Sequence, residues 1–173
     1  MTIAGSRFCS EIIEAQVRDK YNYCFVLHCS DLPRGRGWSP YIWEIIDGAT
    51  KLTLSLLEAG EEVDTGRIWK KVQLDIPDNA LWDEINEIIF SAEIQLIDAV
   101  LFEINTLKPI EQNKNIKPTY FPKRIPSDSR IDPDQTLTAQ FDKIRVCDPE
   151  RYPAFFDLRG HRYKLSLEKI KAE

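Results

Sequence analysis

An apolar run that ends on a histidine and opens directly into a loop of prolines and glycines constrains this chain more than any other feature. Residues 23–28 read YCFVLH and residues 29–40 read CSDLPRGRGWSP. Aromatic and branched side chains bounded by turn residues have the pattern of a buried strand. The prolines and glycines that follow exclude regular structure and impose a loop. Side chains alternate along a strand, so Cys24, Val26 and His28 share one face. Ligands of α/β sheets bind beyond the carboxyl ends of strands. His28 therefore stands where an imidazole can act as general acid or base, its charge switching near neutral pH. The local pattern fits equally well a hydrogen-bonded histidine at a strand end with no catalytic role.

The rest of the chain supplies further α/β elements. Ile12, Ile13 and Val17 fall on one face of a short amphipathic helix over Ser10 to Tyr21. Ser39 suits a helix N-cap, Pro40 the first helical position and Gly48 the stop, which predicts a helix from Pro40 to Asp47. Leu52, Leu54 and Leu56 alternate with Thr53 and Ser55, the pattern of a half-buried strand. A polar turn, EAGEEVDTG, leads to a second alternating strand with Ile68, Lys70, Val72 and Leu74 in register. Asp78 or Asn79 is then expected to cap a long helix reaching about Leu107, with Leu81, Ile85, Ile88, Ala92, Leu96, Val100 and Ile104 at helical spacing. From Ile110 to Pro133 the prolines and polar residues predict an extended linker over the surface. A helix from Thr136 to Val146 and a hairpin over Tyr152 to Leu167, turning at Gly160, complete the chain. The expected boundary divides residues 1–109, a catalytic unit, from residues 110–173, a linker with a small substrate-binding or oligomerisation element.

Composition narrows the classes of function. A net charge of −5 and a pI near 5.2 argue against a general nucleic-acid binder, which carries a basic stripe. No stretch approaches the length of an apolar membrane span, and the start lacks the basic-then-apolar pattern of a secretory leader. Cys9, Cys24, Cys29 and Cys147 form no CxxC pair, and with only two histidines no metal site is expected. Reduced cysteines of a cytoplasmic protein are the expectation.

HCSDLPRGRGWSPYIWEIIDG resembles the signature loop of the folate-dependent formyltransferase family. The family pattern is Asn-x-His, a Ser-Leu-Leu-Pro-like loop, an Arg-Gly pair, then Pro and a helix. His28, Ser30, Leu32, Pro33, Arg36, Gly37 and Pro40 stand in that order here. A second motif, a strand ending in an Asp-x-Gly turn, is matched by LTLSLLEAGEEVDTG with Asp64 and Gly66. FPKRIPSDSRID, with Arg124, Pro126 and Asp128, and IRVCDPERYPAFF are similar to segments of the sugar N-formyltransferase branch. The sequence departs from the pattern at Val26, where the family places the asparagine that stabilises an oxyanion. Losing one such donor costs roughly 10²- to 10³-fold in rate. It also departs in the short stretch before His28, where the family carries several βα units, and this predicts an N-terminally truncated chain.

The resemblance implies a partial Rossmann-like formyltransferase core, a mixed sheet flanked by helices, plus a small C-terminal helix and β-hairpin element. It implies 10-formyltetrahydrofolate as co-substrate and the primary amine of a nucleotide-linked amino sugar as acceptor, with a possible homodimer, no nucleic acid and no membrane insertion. His28 would be the general acid/base and Asp64 its support. Donor contacts would come from Phe8, Cys9 and Ser10, from Trp38, and from the turn of Gly60, Glu61, Glu62, Val63 and Asp64. Acceptor contacts would come from Ser30, Arg124 and Arg145, the arginines by pairing with a diphosphate. The alternatives are an enzyme like the methionyl-tRNA formyltransferases and a catalytically inactive binding module.

Overall fold

The structure, a computed structural model, describes residues 3–6 as backbone and residues 13–170 in full. Its centre is a four-stranded mixed sheet. Strand β1 (Ile3–Ser6) lies parallel to β2 (Tyr23–His28), and β2 pairs antiparallel with β4 (Lys51–Glu58), which pairs antiparallel with β5 (Ile68–Asp75). Between β1 and β2 the helix expected over Ser10 to Tyr21 is a single turn, α1 (Ala15–Arg18); residues 10–12 lie outside the described part. The Pro/Gly loop after β2 holds a two-residue strand, β3 (Arg36–Gly37), and leads into α2 (Pro40–Ile46).

Two capping assignments differ from expectation. Ser39 occupies the N-cap of α2 in a left-handed conformation, and its side chain caps nothing; the fixed φ of Pro40 starts the helix instead. Gly48 stops α2 as expected. At φ 90° its N–H reaches the Ile45 carbonyl at 2.9 Å, and the Ala49 N–H reaches that of Glu44 at 2.9 Å, the two bonds of a Schellman stop. The long helix α3 (Trp82–Phe102) begins after Leu81, whose N–H donates to the Glu84 carboxylate at 2.8 Å, so neither Asp78 nor Asn79 caps it. It ends at Phe102, short of Leu107.

The core lies where α3 packs across β4 and β5. Ile85, Ile89, Leu96 and Val100 face Leu52, Leu54, Leu56, Trp69 and Leu74, joined by Ile42 and Ile45 of α2. Each leucine so buried contributes about 1.5–3 kcal/mol. Strand β4 was expected to be half buried, yet Ser55 and Leu57 on its other face are also fully enclosed. Leu32 of the loop and Ile68 close over Leu57 in a second cluster, with Val26 packed against it. A register shift between Leu56 and Leu57 interrupts the alternation of β5. It turns Trp69 into the main core and Ile68 to the opposite side, so Ile68 leaves the register expected with Lys70, Val72 and Leu74.

Beyond α3 the chain crosses the surface in extended form and pairs β6 (Tyr120–Phe121) parallel with β3. A 3₁₀ turn (Pro126–Ser129) and α4 (Leu137–Arg145) follow, the latter capped by Thr136, whose Oγ1 accepts from the Ala139 N–H at 3.2 Å. The expected hairpin is β7 (Ala154–Leu158) and β8 (His161–Leu165), turning through Arg159 and Gly160 at positive φ. Ile131, Ile144, Cys147 and Ala154 form its small core. Among the described residues no helix is long and apolar enough to cross a membrane, and no cluster of histidine, cysteine and acidic side chains could hold a metal.

Candidate active site

His28 is the last residue of β2 and is 7% exposed. Two segments remote in sequence meet it. The Pro/Gly loop folds back so that the Gly35 carbonyl lies 2.8 Å from Nε2. The turn between β4 and β5 brings Asp64 Oδ1 to 3.4 Å from Nδ1, with both side chains enclosed. A carbonyl only accepts, so the bond to Gly35 fixes the proton of the neutral ring on Nε2. Nδ1 faces the Asp64 carboxylate, which accepts a hydrogen bond from that nitrogen only when it carries a proton.

Local backbone chemistry delivers Asp64 to that place. It sits at φ 56°, in the left-handed region that aspartate tolerates better than most residues. Its Oδ2 accepts the Gly37 N–H at 2.8 Å. Its own carbonyl accepts from Gln112 Nε2 at 2.7 Å. Gly66 allows the turn to close: a Cβ there would stand 1.8 Å from the Glu58 carbonyl oxygen. At Gly37, φ is 98° and a Cβ would stand 2.5 Å from the Phe121 carbonyl oxygen, so the Arg-Gly pair of the loop is a requirement of close approach to β6.

The remaining expected site residues divide. Gly60, Glu61, Glu62 and Val63 form the outer part of the Asp64 turn, with the Glu61–Val63 tip exposed. Trp38 is partly exposed, with Lys123 Nζ 4.7 Å from its ring centroid. Phe8, Cys9 and Ser10 lie outside the described residues. Ser30, expected against substrate, is enclosed completely: its hydroxyl donates to the Arg34 carbonyl at 2.9 Å and its carbonyl accepts from Ser55 Oγ at 2.8 Å. It shapes the loop from inside. Arg145, expected on a diphosphate, is 2% exposed and donates to Asp142 at 2.6 Å and to the Pro77 and Ala80 carbonyls at 3.0 and 3.1 Å. Its nearly enclosed guanidinium joins α4 to the segment just before α3. Arg124 donates to Ser129 Oγ at 2.9 Å and lies against Cys147 Sγ at 3.7 Å, on the C-terminal element and away from His28's own contacts.

Sequence reasoning missed two residues beside the pair. One is Gln112, buried, whose only local sign was a polar residue in a proline-rich stretch. The other is Glu44 on α2. Its Oε1 lies 3.3 Å from where a Cβ on Gly35 would stand. Burial, helped by the charge of Asp31, pushes its carboxyl up to about 7.

Fold and site together define an α/β protein with an enclosed histidine–carboxylate pair at the end of a strand. A methionyl-tRNA formyltransferase from Clostridium thermocellum superposes with a TM-score of 0.79 at 30% identity, over 98% of this chain and 72% of that one. The chain belongs to the formyltransferase family. A methionyl-tRNA formyltransferase of Bacteroides thetaiotaomicron is 30% identical over 139 residues, 75% of this chain and 41% of that protein. The chain thus spans less than half the length of that curated relative. A 4-N formyltransferase from Francisella tularensis shares the fold, with a TM-score of 0.75 at 21% identity over 98% of this chain and 72% of that one. No family model matches the sequence.

Proposed function

We propose that the protein transfers a formyl group from 10-formyltetrahydrofolate to a primary amine, and that the acceptor is a nucleotide-linked amino sugar. The observation that carries the reading is the enclosed pair: His28 Nδ1 lies 3.4 Å from Asp64 Oδ1, with Nε2 committed to the Gly35 carbonyl. The folate supplies the activated formyl carbon. His28 takes the proton that the attacking amine loses and returns a proton to the nitrogen of the departing folate, so the ring ends as it began. Asp64 holds the ring in orientation and offsets its charge while the proton is present. The exposed Glu61–Val63 tip beside an enclosed carboxylate suits a folate lying across the turn, its polar ring edge meeting backbone groups. Residues 1–109 carry His28 and Asp64, and residues 110–173 carry the acceptor contacts.

The acidic balance of the chain favours a small acceptor over tRNA, whose phosphates demand a basic surface. The reading as a methionyl-tRNA formyltransferase-like enzyme rests on 30% identity to several such enzymes. Val26 occupies the place of the family asparagine and packs on the Leu32–Leu57–Ile68 cluster, which supports an oxyanion held by donors other than a strand side chain. The test is formyl transfer from 10-formyltetrahydrofolate to a panel of nucleotide-linked amino sugars and to initiator methionyl-tRNA, read by mass gain on the acceptor. Transfer to a sugar that vanishes in His28→Ala supports the proposal. Transfer to the tRNA alone replaces the acceptor, and transfer that persists in His28→Ala removes the histidine from the chemistry.

A further inference from the structure

One strap of chain touches both halves of the pair. At its start, Ile110 exchanges both backbone hydrogen bonds with Ile68, at 2.8 Å each, just after the Asp64 turn. Two residues on, Gln112 turns inward and is 8% exposed. Its Nε2 donates to the Asp64 carbonyl at 2.7 Å and to the Gly66 carbonyl at 3.0 Å. Its Oε1 accepts from Arg36 Nη2 at 2.7 Å. At the far end of the strap, Thr119 Oγ1 accepts the Gly35 N–H at 2.8 Å, and Tyr120 and Phe121 pair with Arg36 and Gly37. The loop that holds His28 Nε2 and the turn that holds Asp64 are therefore tied twice, directly by the Gly37 N–H on Asp64 Oδ2 and again through the Gln112 side-chain amide.

We infer that Gln112 is a positioning residue, which sets the Asp64 carboxylate against His28 Nδ1 by fixing the turn to the loop. The chemistry of the contact requires an amide. Two carbonyl oxygens need a donor with two hydrogens, and a guanidinium needs an acceptor, and a carboxamide supplies both from one enclosed group. The inference rests on the formyl-transfer reading for its kinetic consequence and not for its structural one. Asp64 is held in a left-handed conformation that persists only where its surroundings enforce it. Gln112 bonds the carbonyl of that very residue.

The experiment compares wild type with Gln112→Leu and Gln112→Glu. The glutamate fills the same volume and keeps an oxygen for Arg36, but presents no donor to the two carbonyls, so packing and positioning separate. A misplacement of about 1 Å in a reacting group costs on the order of 10²-fold. The expected result in both variants is a kcat lower by about that factor, with KM for folate and amine held within about two-fold. The second readout needs no substrate: the ¹⁵N resonance of His28 Nδ1, at fixed pH, shifts in both variants as the carboxylate leaves its place. A wild-type kcat, or a wild-type His28 resonance, in folded Gln112→Glu overturns the inference. If wild type itself transfers no formyl group, the functional reading fails, while the His28 resonance still decides the role of Gln112.

Discussion

Glu44 makes the stability of this protein depend on pH in a direction opposite to that of most carboxylates. Its carboxyl is raised from an ordinary 4.5 to about 7, first by burial and second by the charge of Asp31. The folded state therefore holds this proton more tightly than the unfolded chain does. Stability from the protonated form is fully present below the unfolded value of 4.5 and is lost as pH rises through about 7. The difference between those values corresponds to roughly 3 kcal/mol. Glu44 keeps part of its surface in water, so solvent screening reduces this to about 1.5 kcal/mol. Glu44→Gln keeps the volume and removes the titration. In urea unfolding, wild type and variant should have similar stability at about pH 4.5, and the variant should be more stable by about 1.5 kcal/mol at about pH 8.5. The reasoning is refuted if the two proteins lose or gain stability in parallel across that range, for then the carboxyl does not titrate between folded and unfolded states.

Three other outcomes follow from the packing. Gly66→Ala should destabilise the protein by more than about 2 kcal/mol and lower its melting temperature, because its Cβ would meet backbone rather than a movable side chain. Arg145→Met should cost about 3 kcal/mol in chemical denaturation, leaving two carbonyls without their donor; an unchanged midpoint would show that water replaces the guanidinium. Ser55→Ala should cost about 1 kcal/mol through loss of the enclosed bond to the Ser30 carbonyl, read as a shift in the urea midpoint.

The strand that ends on His28, the loop, the Asp64 turn and the C-terminal helix and hairpin were legible because each is signalled within a few residues by alternation, proline or glycine. What was not legible depends on contacts between distant segments. The burial of Leu57 needs Leu32 to fold over it, that of Ser55 needs the Ser30 carbonyl, and the switch from Ile68 to Trp69 needs a bulge against β4, and none of these partners is adjacent in sequence. Gln112 could be read only as one polar residue in a linker, since the turn it bonds lies 48 residues earlier. Arg145, placed on a diphosphate only by the resemblance, is instead held by backbone carbonyls from before α3, 65 and 68 residues earlier in the chain. The capping error at α3 arose because Asp78 and Asn79 are common caps, whereas the acceptor used is Glu84 reaching back.

The strap also sets an order of events during synthesis. His28 and Asp64 emerge from the ribosome early, and β2, β4 and β5 can pair as soon as they are clear. The Gly35 N–H and strand β3, however, gain Thr119 and β6 as partners only when those residues arrive. A nascent chain that has reached Pro109 thus contains both members of the pair without the brace that joins them. At that stage the Gly37 N–H can already hold Asp64 Oδ2, while the Gln112 bonds to the Asp64 and Gly66 carbonyls have yet to form.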